Sequence, residues 1–249
     1  CYGGNRTCDT GNYQKGEEEM KEFLDVSLFG GAVLSLVGYE IGLILKKKFK
    51  MAVFNPLLIG VICVIAVLVV GNISYESYNQ SGKYISYLLT PATVCLAVPL
   101  YEQLELLKKN LKAVAAGLIS GVLASLVGVL ILAKLFGLSH EQYVTMLPKS
   151  ITTAIGMGIS EELGGIVTIT VAVIIVTGIL GNMIGETICK VFHIEEPVAK
   201  GLALGAASHA IGTARAMEMG PVEGAMSSLA IAVAGLLTVV GASVFAGFM

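Results

Sequence analysis

The sequence predicts an all-α integral membrane protein, a polytopic bundle of about eight helical segments with discontinuous helices among them, and three observations predict it. Hydrophobic residues make up 55% of the 249 positions and charged residues 14%, with a mean hydropathy of +0.81, whereas roughly a quarter of a soluble domain is charged. The apolar stretches are continuous over about 20 positions, enough for a helix to cross the hydrocarbon, and lack the apolar/polar alternation of membrane barrel strands. The chain has 30 glycines, recurring inside these stretches as they do where membrane helices pack backbone to backbone.

Residues 1–19, CYGGNRTCDTGNYQKGEEE, show no apolar periodicity and precede Met20, so they read as a tail outside a membrane domain at 20–249. Leu24–Leu45 is the first span, and Lys46, Lys47, Lys48 and Lys50 place its end on the inner face by the positive-inside rule. Met51–Gly71 crosses back to a polar loop, Asn72–Lys83. Tyr84–Tyr101 is apolar but interrupted at Thr90-Pro91 and at Pro99, which predicts a broken helix. Glu102–Lys112 reads as an amphipathic surface helix on the inner face, and Ala113–Phe136 as a span leading to a loop at Gly137–Met146.

Leu147–Gly165 is too rich in hydroxyls and glycine for a lipid-facing helix but suits one lining a cavity. Ile166–Glu186 is a span and Thr187–Lys200 a loop. Gly201–Gly220 is a second polar, small-residue stretch before a last span at 223–248. Whether 147–165 crosses or re-enters decides the side of Lys190 and Lys200, and charge leaves both open. TPAT at 90–93 followed by LKAVAAGLISGVLA, against SHAIGT at 208–213 followed by LAIAVAGLLTVVGA, suggests an internal repeat. Repeats that each carry a discontinuous helix are a common build of secondary transporters.

Several function classes are set aside. With a formal net charge of −2 and no basic stripe interleaved with aromatics, nucleic acid is not an expected partner. The five cysteines, Cys1, Cys8, Cys63, Cys95 and Cys189, form no CxxC or Cys/His spacing, so neither a metal site nor a cofactor nor a disulfide framework is expected. No HExxH, GxSxG or P-loop motif occurs. Ser208 and His209 are adjacent on one helix and would point about 100° apart, so no enzyme is expected.

An ionisable side chain inside an apolar segment costs at least about 2.5–3.5 kcal/mol and is therefore informative. Arg215, in SHAIGTARAMEMG, is the only arginine besides Arg6. Its planar fork of donors fits a carboxylate, so with Ser208, His209 and Thr213 it is a candidate site for a small organic anion; a structural ion pair with Glu218 is the alternative. His209 titrates near neutrality and could couple proton movement, or hydrogen-bond a neighbouring helix instead. Lys149, Ser150 and Thr152 form a candidate opposite wall, with snorkelling of Lys149 to the surface as its alternative. Glu161 is a second candidate for ion coupling, and Thr90 and Thr93 mark the matching break. Glu40 and Asn182 read as inter-helix hydrogen-bonding groups.

Three blocks, LLTPATVCLAVPLYEQ at 88–103, LPKSITTAIGMGISEELGG at 147–165 and ALGAASHAIGTARAMEMGPVEGAMSSLA at 203–230, resemble the LrgB family, whose relatives include CidB and the plastid glycolate/glycerate translocators. The resemblance covers about residues 20–249. It implies a multi-pass protein of the bacterial cytoplasmic membrane and two roles. One is an antiholin-like regulator of murein hydrolase activity and autolysis, acting with a small LrgA/CidA-like membrane partner. The other is movement of glycolate, glycerate or pyruvate. Broken helices converging on a lone arginine favour the second, a secondary transporter of small monocarboxylates coupled to protons or sodium. Glycine-rich spans are also compatible with a homo-oligomer.

Overall fold

A computed structural model describes residues 29–49, 54–95 and 97–249, and among them every regular element is a helix. The tail at 1–19, the start of the first predicted span and Met51 lie outside the described residues. The chain divides into two units that meet in sequence at Thr93 and Val94.

In the first unit, α1 (Gly30–Phe49), α2 (Pro56–Val70) and α3 (Tyr75–Ser86) pack together. α1 continues past Leu45 through Lys46, Lys47 and Lys48, where positive charge complements the carbonyl end of the helix. α2 starts at Pro56 behind Asn55, whose side chain accepts from the amides of Leu57 and Leu58, a cap that satisfies two of the free first-turn donors. Asn72–Lys83, expected as a loop, is largely α3. Ser74 caps it, and Ser81 Oγ accepts from the Gly31 amide at 2.6 Å while Tyr78 and Ser35 share a hydrogen bond at 2.7 Å. These contacts give a polar helix a partner that its hydropathy does not reveal. The expected break in 84–101 is present as two short helices, α4 (Leu89–Cys95) and α5 (Ala97–Glu102), the second of which belongs to the second unit.

The second unit continues with α6 (Leu104–Lys109), then α7 (Leu111–Phe136), α8 (His140–Met146), α9 (Thr153–Glu162), α10 (Val167–Val191), α11 (Pro197–Met219) and α12 (Pro221–Ala246). α7, α10 and α12 are long and apolar enough to cross a membrane. Leu118, Leu126, Ile174 and Ala230 are buried along them.

Between these three helices the chain makes two hairpins. In the first, α8 leads in, residues 147–152 turn, and α9 leads out. A Cβ on Gly165 would lie 3.0 Å from Thr145 Oγ1, and one on Gly156 would lie 3.6 Å from the Pro148 carbonyl, so the arms run side by side from 145/165 to 148/156. The amide of Ile166 donates to Thr145 Oγ1 at 2.8 Å, and Thr170 Oγ1 donates to both the Thr145 carbonyl and Ser160 Oγ. At the turn, Ser150 Oγ shares a hydrogen bond at 3.2 Å with Ser125 Oγ, and Ser125 is near the centre of α7.

The second hairpin is α11 itself. Its helical geometry fails at Ser208 (φ −135°, ψ 16°) and His209 (φ 42°, ψ −139°), and the chain reverses there. A Cβ on Gly212 would lie 2.7 Å from the Leu204 carbonyl oxygen, whereas eight residues of straight helix separate their ends by about 12 Å. The first arm, residues 197–207, runs parallel to α12, with Gly201 against Met226 and Gly205 against Ala230. The second arm, 210–219, runs antiparallel to it, with Thr213 Oγ1 2.7 Å from Ser227 Oγ and Met217 against Gly224. The turn rests on Gly178 and Gly181, midway along α10, where a Cβ on Gly181 would overlap Ser208 Oγ.

His209 holds a positive φ that L side chains other than glycine seldom adopt, at a cost of order 1–3 kcal/mol. His209→Gly removes that strain, whereas His209→Ala keeps it, and both lose the bond from Nε2 to the Ile174 carbonyl. Thermal unfolding in detergent should therefore rank His209→Gly as the more stable of the two, by about 1 kcal/mol, the reverse of their order inside an ordinary helix. Alanine as the more stable variant would contradict the strained turn.

Candidate solute site

The two turns enter from opposite ends of the unit and reach the middle of α7 together. The first brings Ser150 to Ser125, and the second arm-pair brings Ala206 to Gly121, where a Cβ would meet it at 3.8 Å. A cavity of about 770 Å³ runs along this half of α7. Its walls pass from Asn110 into α7 through Gly117 and Gly121 to Ser125, and from Glu196 and Val198 to Ala207 along the first arm of α11. Lys149 and Ser150 line it beside Ser125. Lys149 Nζ donates to Ser150 Oγ at 2.9 Å, and among the described residues no carboxylate pairs with it. Thr152 is the N-cap residue of α9, although its side chain makes no capping bond.

Ser208, His209 and Thr213 come together at the other turn and are all buried. His209 Nε2 donates to the Ile174 carbonyl of α10 at 3.1 Å. Thr213 Oγ1 bonds the His209 carbonyl and Ser227 Oγ, so its hydroxyl fastens the second arm both to the turn and to α12.

Arg215 sits elsewhere. Two turns along the second arm, its guanidinium donates to Glu218, the pairing open to it in the sequence, and also to Glu186 of α10. Glu186 is shared with Lys190 at 2.8 Å. This cluster lines a separate cavity of about 480 Å³ together with Lys200 and Glu223. Arg215 and Lys149 therefore do not face the same space. Glu161 is exposed in the last turn of α9, and Thr90 and Thr93 lie on α4 in the first unit. Asn182 donates to the Ile211 carbonyl at 2.7 Å, a link from α10 to the second arm.

Three participants escape the sequence: Ser125, Ser227 and Glu186. Each lies on a long apolar helix. A lone polar group on a span is a weak signal by itself, and a serine there can equally bond back to its own helix.

The chain matches the LrgB-like family over residues 35–248. Similar proteins include the antiholin-like protein LrgB of Bacillus mycoides (strain KBAB4), 43% identical over 220 residues that cover 88% of this chain and 96% of the relative. The proteins of the same name from Bacillus cereus (strain B4264) and Bacillus anthracis (strain CDC 684 / NRRL 3495) are 42% identical with the same coverage. No solved structure matches.

Proposed function

The chain belongs to the LrgB-like family, and from that membership we propose that it is an antiholin-like membrane protein that restrains autolysis in the bacterial cytoplasmic membrane. The observation behind this reading is the likeness to proteins of that name along nearly their whole length, 96% of the relative. Replacing the corresponding gene of Bacillus cereus by this one tests it. Detergent-induced lysis should stay as slow as in the parent, while a strain lacking both genes lyses faster. Lysis as fast as in the double-deficient strain, with the protein present in the membrane, would count against the reading.

One observation favours a second reading, that the domain itself moves a small organic anion. The two hairpins enter from opposite ends and turn at half depth. A protein that only blocks a pore has no use for two interrupted helices, each of which leaves backbone donors and acceptors at the bilayer centre. Transport has that use: opposed interruptions expose polar groups to a solute and let one half move against the other. An antiholin-like effect then follows from altered solute flux. Proteoliposomes containing the protein, with and without a small LrgA/CidA-like partner and with a proton or sodium gradient, should take up labelled pyruvate, glycolate or glycerate saturably. No uptake by folded protein under any of these conditions removes the reading.

A further inference from the structure

Among the described residues Lys149 is a cation with no carboxylate partner, held at half depth where an ammonium is costly. Snorkelling does not relieve it, since its Nζ is engaged by Ser150 at the turn. Among the described residues nothing in the packing repays this cost: Ser150 and Ser125 hydrogen-bond each other across the turn, and their hydroxyls offer no negative charge. The turn also feeds directly into α9, whose first-turn amides are not capped by the Thr152 side chain, and free amides at a helix N-terminus favour an anion.

We propose that Lys149, Ser150 and Ser125 form the binding site for a small monovalent anion at the Ser125 end of the α7/α11 cavity, and that Arg215 is not part of it. The proposal rests on the transport reading and locates its solute. One cation and two hydroxyls match a single charge. The alanine and glycine walls, Ala113, Gly117 and Gly121 on one side and Ala199 and Ala203 on the other, admit a short apolar body beside the charged group, while among the described residues that line the cavity there is no second cation for a polyanion and Glu196, at the far end, adds a negative charge. The guanidinium of Arg215 is taken by Glu186 and Glu218, which leaves it neutralised, whereas Lys149 is not. Ser125 is the residue that ties the site to α7, so occupancy would hold the first hairpin against that helix.

The test uses the purified full chain in detergent, with lactate observed through saturation transfer to its methyl protons and chloride as competitor. Wild type should give a lactate signal that chloride reduces if a bare anion suffices, and leaves unchanged if the carboxylate and methyl are both required. Lys149→Met should weaken binding at least about tenfold, the loss of one charge-assisted bond, while Lys149→Arg retains part of it and Ser125→Ala weakens it severalfold. Arg215→Lys should bind as wild type does. Lys149→Met should also melt no lower than wild type in lactate-free buffer, since it removes an uncompensated charge, and this separates lost binding from lost folding. A wild type that gives no lactate signal, or a lactate signal that survives in Lys149→Met, overturns the site. Binding without uptake in proteoliposomes would remove transport and leave the site standing. Uptake indifferent to Lys149→Met would do the opposite.

Discussion

Gly205→Val should be among the most destabilising single substitutions in the second unit. Gly201 and Gly205 are four residues apart on the first arm of α11, and this spacing lets two membrane helices approach backbone to backbone. A Cβ at Gly205 would lie 2.7 Å from Ala230 Cβ and 2.9 Å from Ser227 Cα. Those atoms belong to the backbone or to its first side-chain carbon, so no rotamer change clears them and the arm must shift bodily. Overpacking of this kind costs about 1–3 kcal/mol, and two extra methyl groups on the new Cβ put valine at the upper end. Gly128→Val is the control, because a Cβ there meets nothing within 4 Å. Unfolding temperatures in detergent should fall for the first and hold for the second. Equal behaviour would mean that the arm does not lie on α12 as described.

Arg215→Ala should destabilise more than either of its carboxylate partners does when neutralised. The Arg215 and Glu186 side chains are each 28% exposed and that of Glu218 53%, so the cluster lies between a surface pair, worth about 0–1 kcal/mol, and a buried one whose broken form costs about 3–5. Removing the guanidinium leaves Glu186 and Glu218 without it, and a loss of about 1–3 kcal/mol follows from that intermediate position. Glu218→Gln, at the exposed end, should cost less than about 1 kcal/mol. Combining Arg215→Ala with Glu186→Gln should recover part of the loss, since the carboxylate that lost the guanidinium, and keeps only the exposed Lys190, is no longer charged. Strict additivity in this cycle would mean that the two residues do not interact. The same cluster explains why Arg215 reads differently before and after folding. Glu218 is three residues away and visible as a partner, but Glu186 lies 29 residues earlier and reaches Arg215 only because the second arm doubles back along α10.

The long helices α7, α10 and α12 are legible in the sequence because their apolar runs are uninterrupted, and the polar stretches at 147–165 and 201–220 are legible as places where something other than lipid is faced. That each stretch reverses is not. In α11 the obvious breaker is Gly212, yet the chain turns at Ser208 and His209, residues with no intrinsic preference for that geometry. Room for the turn comes from Gly178 and Gly181 on α10, a tertiary cause that local propensity cannot carry. Segment 72–83 misleads for the opposite reason: its polarity suggests a loop, while caps and the Tyr78–Ser35 and Ser81–Gly31 bonds make it a helix. Of the candidate residues, Lys149 and Ser150 do line one cavity, and Ser208, His209 and Thr213 do share one turn. Their second halves, Ser125 and Ser227, sit on spans where a serine is unremarkable.

A hairpin that enters and leaves by one face adds nothing to the parity of crossings. With α8–α9 and α11 both discounted, three described helices of the second unit are long and apolar enough to cross, α7, α10 and α12, and α7 and α12 point the same way. Lys108, Lys109 and Lys112 at the start of α7, Lys190 at the end of α10 and Lys200 at the start of α11 then all fall on one face, opposite Lys134. The two lysines whose side the charge pattern left open join the majority, and the distribution becomes lopsided enough for the positive-inside rule to assign that face inward. In a bilayer, residues scattered over nearly a hundred positions would then act as one group in orienting insertion, because two stretches of the chain turn back.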